Sequence, residues 1–275
     1  MTTTPVRERG TATVKSLRAL NRRRFTRRQK VVFTIVNLLL FCVAWELFVR
    51  ITGIPSLLVP TFSSVLAEIP VMHREGVLWA NIAVSLKMYG IGMVISIVVG
   101  LPLGMVIGGV KALDRTIAPY VWALNTLPRL ILMPLILLWV GINDTARVLL
   151  IVLSAVPAIM VVVMDGVKTV DSTLLKAARA FCADRRLVFT RVVLPSTVPF
   201  VATAVRMGVS RGLIGLFIGE LFTAANGVGY VMVTAGRSFD SARVYLMLFV
   251  FVAFSVAVVG LTQWLEGRAS RWRSV

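Results

Sequence analysis

DGVKTVDSTLLKAARAFCADRRLVFTRVVLPSTVP, residues 165–199, is the longest basic interruption of the hydrophobic pattern after residue 30. Apolar runs long enough to cross a bilayer flank it on both sides. Asp171 or Ser172 can cap a short helix here, because a side-chain oxygen accepts the first free backbone N–H groups. Leu174, Leu175, Ala178 and Phe181 then share one face, with Lys176 and Arg179 on the other. Cys182 stands where this helix should end, and Asp184 can cap a second short one. Pro195 must open the next helix or break the preceding one. The pattern predicts a helical hairpin lying at a membrane surface.

Composition agrees with that placement. Of 275 residues, 57% are hydrophobic and 15% charged, with a mean hydropathy of +0.86, which describes a polytopic membrane protein and not a soluble globule. The formal charge of +18 raises nucleic-acid binding, but the 30 Lys and Arg are spread among membrane-flanking segments, as topology signals are. Cys42 and Cys182 have no metal-site spacing and are expected to lie far apart, so no disulfide is expected. His73 is the single histidine, which leaves little material for zinc motifs or Ser-His-Asp chemistry. The chain contains no GxxxxGK[ST], so ATP-driven transport would need a separate ATPase chain.

In chain order, residues 1–30 carry ten Lys or Arg against Glu8 and read as a basic cytoplasmic tail. A first transmembrane helix occupies 31–50, its apolar run reaching Val49, with Glu46 snorkelling near its far end. Residues 51–80, with Pro55, Pro60 and Pro70, read as an external loop holding at most one short helix. The core then runs from 81 to 266 with five spans. The first of these, Asn81 to Gly108, presents Gly100, Gly104 and Gly108 on one face for close packing, and Pro102 can kink it. The next, Ile117 to Val140, is broken around Leu127-Pro128 and Pro134, which places it against protein or a wet cavity. Thr145 to Val163 follows, with Pro157 at its middle. After the loop at 165–195, Thr197 to Phe222 carries Gly208, Gly212, Gly215 and Gly219. Residues 223–241 read as an external loop and Ala242 to Leu265 as the last span, before a cytoplasmic tail at 267–275. Of the Lys and Arg, 21 fall inside on this assignment, six at outer positions including Arg147, and three within spans. Both termini are therefore expected in the cytoplasm.

Lys176-Ala177-Ala178, then Cys182, Val192 and Leu194-Pro195, keep the full spacing of a known motif: Glu-Ala-Ala, three residues, Gly, nine residues, Ile, one residue, Leu-Pro. In this respect the chain resembles permease subunits of bacterial ABC importers, with Lys for Glu, Cys for Gly and Val for Ile. LPRLILMPLILLWVGIND and NGVGY extend the likeness, which holds from Asn81 to about Glu266 and points to the nitrate, sulfonate and taurine type. It implies an all-α subunit with six transmembrane helices, the MetI-like permease fold of type I ABC importers, set in the bacterial inner membrane. It also implies two ATPase subunits, a second permease copy forming a homodimer, a solute-binding protein, no cofactor and no chemistry of its own. In the family the two alanines let the helix sit in a cleft of the ATPase, so Lys176, Ala177, Ala178, Cys182, Leu194 and Pro195 are the implied coupling residues. Lys176 would then require an acidic partner, and Cys182 lacks the easy access of glycine to left-handed angles.

Arg129 and Arg211 fall deep in their spans, where a charge costs roughly 2.5–3.5 kcal/mol unless protein or water surrounds it. They either pair with Glu220, Asp165 or carbonyls freed by Pro128 and Pro134, or make the translocation path electropositive and favour an anion. Glu220 is grouped with them as a path residue, whereas Arg206 reads as structural. A secondary transporter would also use broken helices and buried charges, but no convincing internal repeat is present. A membrane enzyme would need acids, His or Ser clustered at one depth, and none is apparent.

Overall fold

The computed structural model describes residues 27–223 and 225–269, and every regular element among them is helical. The expected tails lie mostly outside the described residues. The chain divides at Ile54 into two compact units. In the first, α1 (Arg27–Thr52) begins before the expected span and ends three residues beyond Val49. Glu46 is paired with Arg50 at 2.6 Å, one helical turn on, so both charges are met within the helix end.

The second unit opens with α2 (Phe62–Arg74), capped by Thr61, whose Oγ1 accepts the Ser64 N–H at 3.3 Å. Gly76, at φ 71°, turns the chain into α3 (Val77–Gly109). At 33 residues α3 is about 50 Å long, so it crosses a roughly 30 Å hydrocarbon layer with turns to spare. The short helix α4 (Lys111–Thr116) leads to α5 (Ala118–Thr126), a 3-10 turn at Arg129–Leu132 and α6 (Met133–Val140). α5 and the Arg129–Val140 segment meet at 97°, at the break expected from Leu127-Pro128. α7 (Asp144–Lys168) is capped by Asn143, which accepts the Ala146 N–H at 3.0 Å.

Chain direction decides whether the bent segment counts as a crossing. A Cβ at Gly92, Gly100 or Gly108 of α3 would strike Ile151, Ile159 or Met164 of α7, in rising order on both helices, so the two run parallel. Parallel neighbours require the chain between them to return across the membrane. The bent pair is therefore one span, and six spans result.

Beyond α7 come α8 (Ser172–Ala180), α9 (Arg185–Val188), a π turn (Phe189–Val193) and α10 (Leu194–Thr223). The second arm of the expected hairpin is not a separate helix: residues from Arg186 to Phe222 run as one continuous helical path. Pro195 opens the next helix as expected, in the first turn of α10, yet it does not interrupt this path. It lacks the N–H of a regular α turn, and the wide turn just before it, where the Leu194 N–H reaches the Phe189 carbonyl, absorbs the mismatch. α10 is antiparallel to α7, because Gly208, Gly212 and Gly219 meet Ile159, Ile151 and Arg147 in falling order. α11 (Val228–Arg237) and α12 (Ser241–Ala269) complete the described chain. α11 is a correction, since residues 223–241 were expected to form only a loop. Val228, Val231 and Ala235 fall on one helical face and are buried, the two valines beside Val65 and Met72 of α2 and Leu246 and Met247 of α12.

α7 is the axis of the core, sandwiched between the glycine faces of α3 and α10. Arg206 on α10 pairs with Glu266 on α12 at 3.4 Å, which gives it the structural place expected.

Candidate functional site

Three groups of residues stand out, one at each end of the helical core and one at mid-depth. The first is the arm between α7 and α10. Asp171 accepts the Thr173 N–H at 2.7 Å, and that bond to the charged form holds its carboxyl below the usual carboxylate range. The cap therefore persists into mild acid and is lost only as pH falls through this lowered value. At the other end of α8, Cys182 adopts φ 51°, and the Ala183 N–H returns to the Ala178 carbonyl at 3.1 Å. This is the left-handed helix stop that glycine provides at lower cost, here held by a cysteine. Asp184 caps α9 by accepting the Leu187 N–H at 2.8 Å, as its position suggested.

α8 packs extensively on none of the spans. Lys176, Ala177 and Cys182 are exposed and Ala178 is half-buried. Leu174 and Phe181 were placed on an apolar face with Leu175 and Ala178, yet they are 50% and 87% exposed, so the described residues leave part of that face uncovered. Leu194 and Pro195 are exposed where the arm joins α10.

The second group fastens α11 to the opposite end of the core. Three successive N–H groups at the start of α11 are taken by side chains from other helices: Gly227 by Asn81 at 2.7 Å, Val228 by Ser85 at 2.9 Å and Gly229 by Glu220 at 2.8 Å. Ser85 also donates to Glu220. Arg147 donates to the Asn226 carbonyl at 3.0 Å and its side-chain oxygen at 2.9 Å, and is paired with Asp144. A carboxylate at a helix N-terminus is favoured by the exposed N–H dipoles there. The glycines of NGVG permit its approach, because a Cβ on Gly229 would lie 2.6 Å from the Glu220 Cβ.

One sequence assignment changes here, and a second gains a burial that the sequence did not show. Glu220 is 1% exposed and spent on this fastening, so it does not line the cavity that holds Arg129 and Arg211. Arg147, counted among outer positions, is also 1% exposed. Only the fold shows that Asn226, 79 positions away, encloses it. Glu220→Ala should leave two buried donors without acceptors, at about 1–3 kcal/mol each. A thermal-unfolding midpoint several degrees lower in detergent is the expected result.

The third group is a cavity of about 290 Å³ at the break after α5. Asn125, Thr126, Arg129, Ser154 and Arg211 supply its polar lining, the Thr126 hydroxyl being spent on the carbonyls of Trp122 and Ala123, with Ile214 and Ile218 beside them. Ser154 lies ten residues from the start of α7 and Arg211 twelve from the end of α10, about 15 and 18 Å from the same end of the core. The cavity is therefore near mid-membrane.

Arg129 is 9% exposed, and its guanidinium donates to the carbonyls of Leu124, of Leu127 at 2.7 Å and of Asn125 at 3.4 Å. It thus closes the C-terminus of α5, satisfying the acceptors that Pro128 would otherwise strand. Neither Glu220 nor Asp165 pairs with it. Arg211 is exposed and makes no ion pair among the described residues. A larger cavity of about 610 Å³ lies beside α11, but its Arg243 is held by Glu68, Glu75 and Asp240 at 3.2–3.4 Å.

Residues 100–271, more than half of the chain, match the family of binding-protein-dependent transport system inner membrane components. The chain belongs to that family. This permease is 28% identical over 235 residues to the formylaminopyrimidine transport permease of Halalkalibacterium halodurans, covering 86% of its own length and 93% of the relative. It is 27% identical over 214 residues to the taurine transport system permease of Escherichia coli K12, covering 76% and 78%. A chain from an inward-facing structure of the MetNI methionine ABC transporter matches its fold with a TM-score of 0.60 at 21% identity, over 74% of this permease and 97% of that chain. The fold is thus the MetI-like fold of type I ABC importers. The protein is a multi-pass inner-membrane permease subunit of an ABC importer, and ATP hydrolysis belongs to a separate subunit. Family membership implies an ATPase and a solute-binding protein as partners, and it displaces the secondary-transporter reading.

Proposed function

We propose that two copies of this permease, with two ATPase subunits, pass a small anion handed over by the solute-binding protein. The observation that carries the anion is Arg211, exposed at mid-depth in a cavity with a second arginine and no lining carboxylate. A cation without a counterion in such a place attracts negative charge far more strongly than it would in bulk water. The relatives alone would not decide this, since one is named for taurine and another, equally similar, for formylaminopyrimidine. A sulfonate or similar oxoanion fits the charge.

In this reading the arm at 165–195 and both termini face the cytoplasm. Ala177 and Ala178 form the close contact with the ATPase, and the exposed Lys176 meets an acidic group there. ATP binding draws the arms of the two permeases together and turns the path outward.

Uptake of a labelled sulfonate by cells that depend on this transporter tests the proposal. Arg211→Gln, at normal membrane abundance, should lower the rate at least ten-fold. Arg129→Gln should lower it too, but it also strips the α5 carbonyls of their donor, so the Arg211 variant is decisive. Wild-type uptake by Arg211→Gln would overturn the anion reading.

A further inference from the structure

The mid-depth cavity holds more than charge. Ser154 is 1% exposed and its hydroxyl has no hydrogen-bond partner, and the side-chain oxygen of Asn125 is likewise buried without a donor. Both residues line the cavity with Arg211. Buried polar atoms are nearly always satisfied, because leaving one bare in a low-dielectric interior is costly. Two bare atoms on residues that line one cavity point to an occupant that satisfies them.

Their chemistry specifies what. Arg211 can only donate, the Ser154 hydroxyl can donate or accept, and the Asn125 carboxamide oxygen can only accept. An occupant matching all three presents anionic oxygens to Arg211 and Ser154 and an N–H or O–H of its own to Asn125. That donor must be neutral. An ammonium group would be placed beside two guanidinium groups with no lining carboxylate to compensate, and like charges at close range in a poorly screened site repel strongly. The apolar wall of Ile214 and Ile218 accommodates a short carbon linker between the two ends.

We propose that this cavity is a binding site within the permease for a small oxoanion bearing a hydroxyl or other neutral donor, such as a hydroxyalkyl sulfonate. The solute rests there between release from the binding protein and exit. The site rests on the anion-import reading above and adds a selectivity that charge alone does not supply. A permease built this way discriminates against an aminoalkyl sulfonate, whatever the binding protein delivers.

The test uses the intact permease–ATPase complex in lipid nanodiscs without the binding protein. Labelled 2-hydroxyethanesulfonate is bound to saturation and competed with propane-1-sulfonate, which puts a methyl group in place of the hydroxyl, and with 2-aminoethanesulfonate. The hydroxy compound should bind at least ten-fold more tightly than either competitor. Asn125→Leu should remove that preference over propane-1-sulfonate while leaving propane-1-sulfonate binding unchanged. Ser154→Ala should weaken both several-fold, and Arg211→Gln should abolish both. Asn125→Thr, which keeps a polar side chain of smaller size, serves if the leucine variant does not assemble.

Absence of saturable binding overturns the proposal, as does tightest binding of 2-aminoethanesulfonate. Equal loss of both sulfonates in the Asn125 variants would show a merely structural residue and overturn it too. Those outcomes are separable from failure of the anion reading, which is decided by uptake in Arg211→Gln. Anion uptake that falls in that variant, together with no saturable binding in nanodiscs, removes the site and keeps the function.

Discussion

Gly215→Leu is expected to leave almost no folded permease in the membrane. A Cβ at this position would lie 2.6 Å from the Leu150 carbonyl oxygen and 2.9 Å from the Ile151 Cα, both backbone atoms of the central helix. Backbone inside a packed three-helix core cannot step aside as a flexible side chain can, so α10 would have to separate from α7 along its length. Overpacking of this kind costs about 1–3 kcal/mol for one or two added methylenes in tolerant sites, and four added carbons against backbone exceed what a marginally stable protein can absorb. Small residues at such crossings are also what lets membrane helices gain close van der Waals contact, because lipid offers no hydrophobic penalty for leaving them apart. Size-exclusion profiles of a fluorescent fusion would show the folded peak lost. Gly260→Leu, where a Cβ meets nothing within 4 Å, is the control and should accumulate normally. Normal accumulation of Gly215→Leu would mean that the crossing of α7 and α10 is wrong.

The second large effect is loss of transport without loss of protein. Ala178→Trp should reach the membrane at wild-type level and carry no solute. α8 is held by its own caps at Asp171 and Cys182 and packs extensively on no span, so a bulky side chain there disturbs little within the permease. Its cost falls on an apposed surface, which the large side chain forces away from the helix. Uptake should drop at least a hundred-fold, and ATP hydrolysis by the complex should no longer respond to the loaded binding protein. Ala178→Ser, similar in size, should transport normally. Wild-type uptake by the tryptophan variant would remove α8 from the coupling contact.

How much of this could be read before the fold was known depends on the range of the interaction. Spans, caps and breaks are local. The hydrophobic runs, the cap residues Asp171 and Asp184, and the break at Leu127-Pro128 were legible because each follows from the chemistry of a few neighbouring residues. The glycine faces were legible as faces, since four-residue spacing fixes the side of the helix, but the helix they met was not. α11 was hidden because Gly227 and Gly229 read as loop residues. Its first N–H groups are satisfied by Asn81, Ser85 and Glu220 and not by a local cap.

The three interior arginines divide along the same line. Each is a guanidinium that must be met where it leaves bulk water, and sequence position alone could say that Arg129 and Arg211 must be met by something. Arg129 turned to carbonyls within five residues of itself, a solution the adjacent proline made available. Arg147 was met by a turn 79 positions away. Arg211 was left facing a cavity whose other polar residues come from α5, the 3-10 turn after it and α7.

The amino-acid sequence by itself determined that this chain is a helical membrane protein with a capped, basic arm spaced like that of an ABC importer permease. Periodicity, capping and hydrophobic length act within a turn or a span, so they need no partner. Only the tertiary structure decided which helices the glycine faces meet, that Glu220 and Arg147 serve the fastening of α11, and that Ser154 and Asn125 join Arg211 around one cavity. Those outcomes depend on which helix faces meet, and contact between residues far apart in the chain is set by packing and not by local sequence.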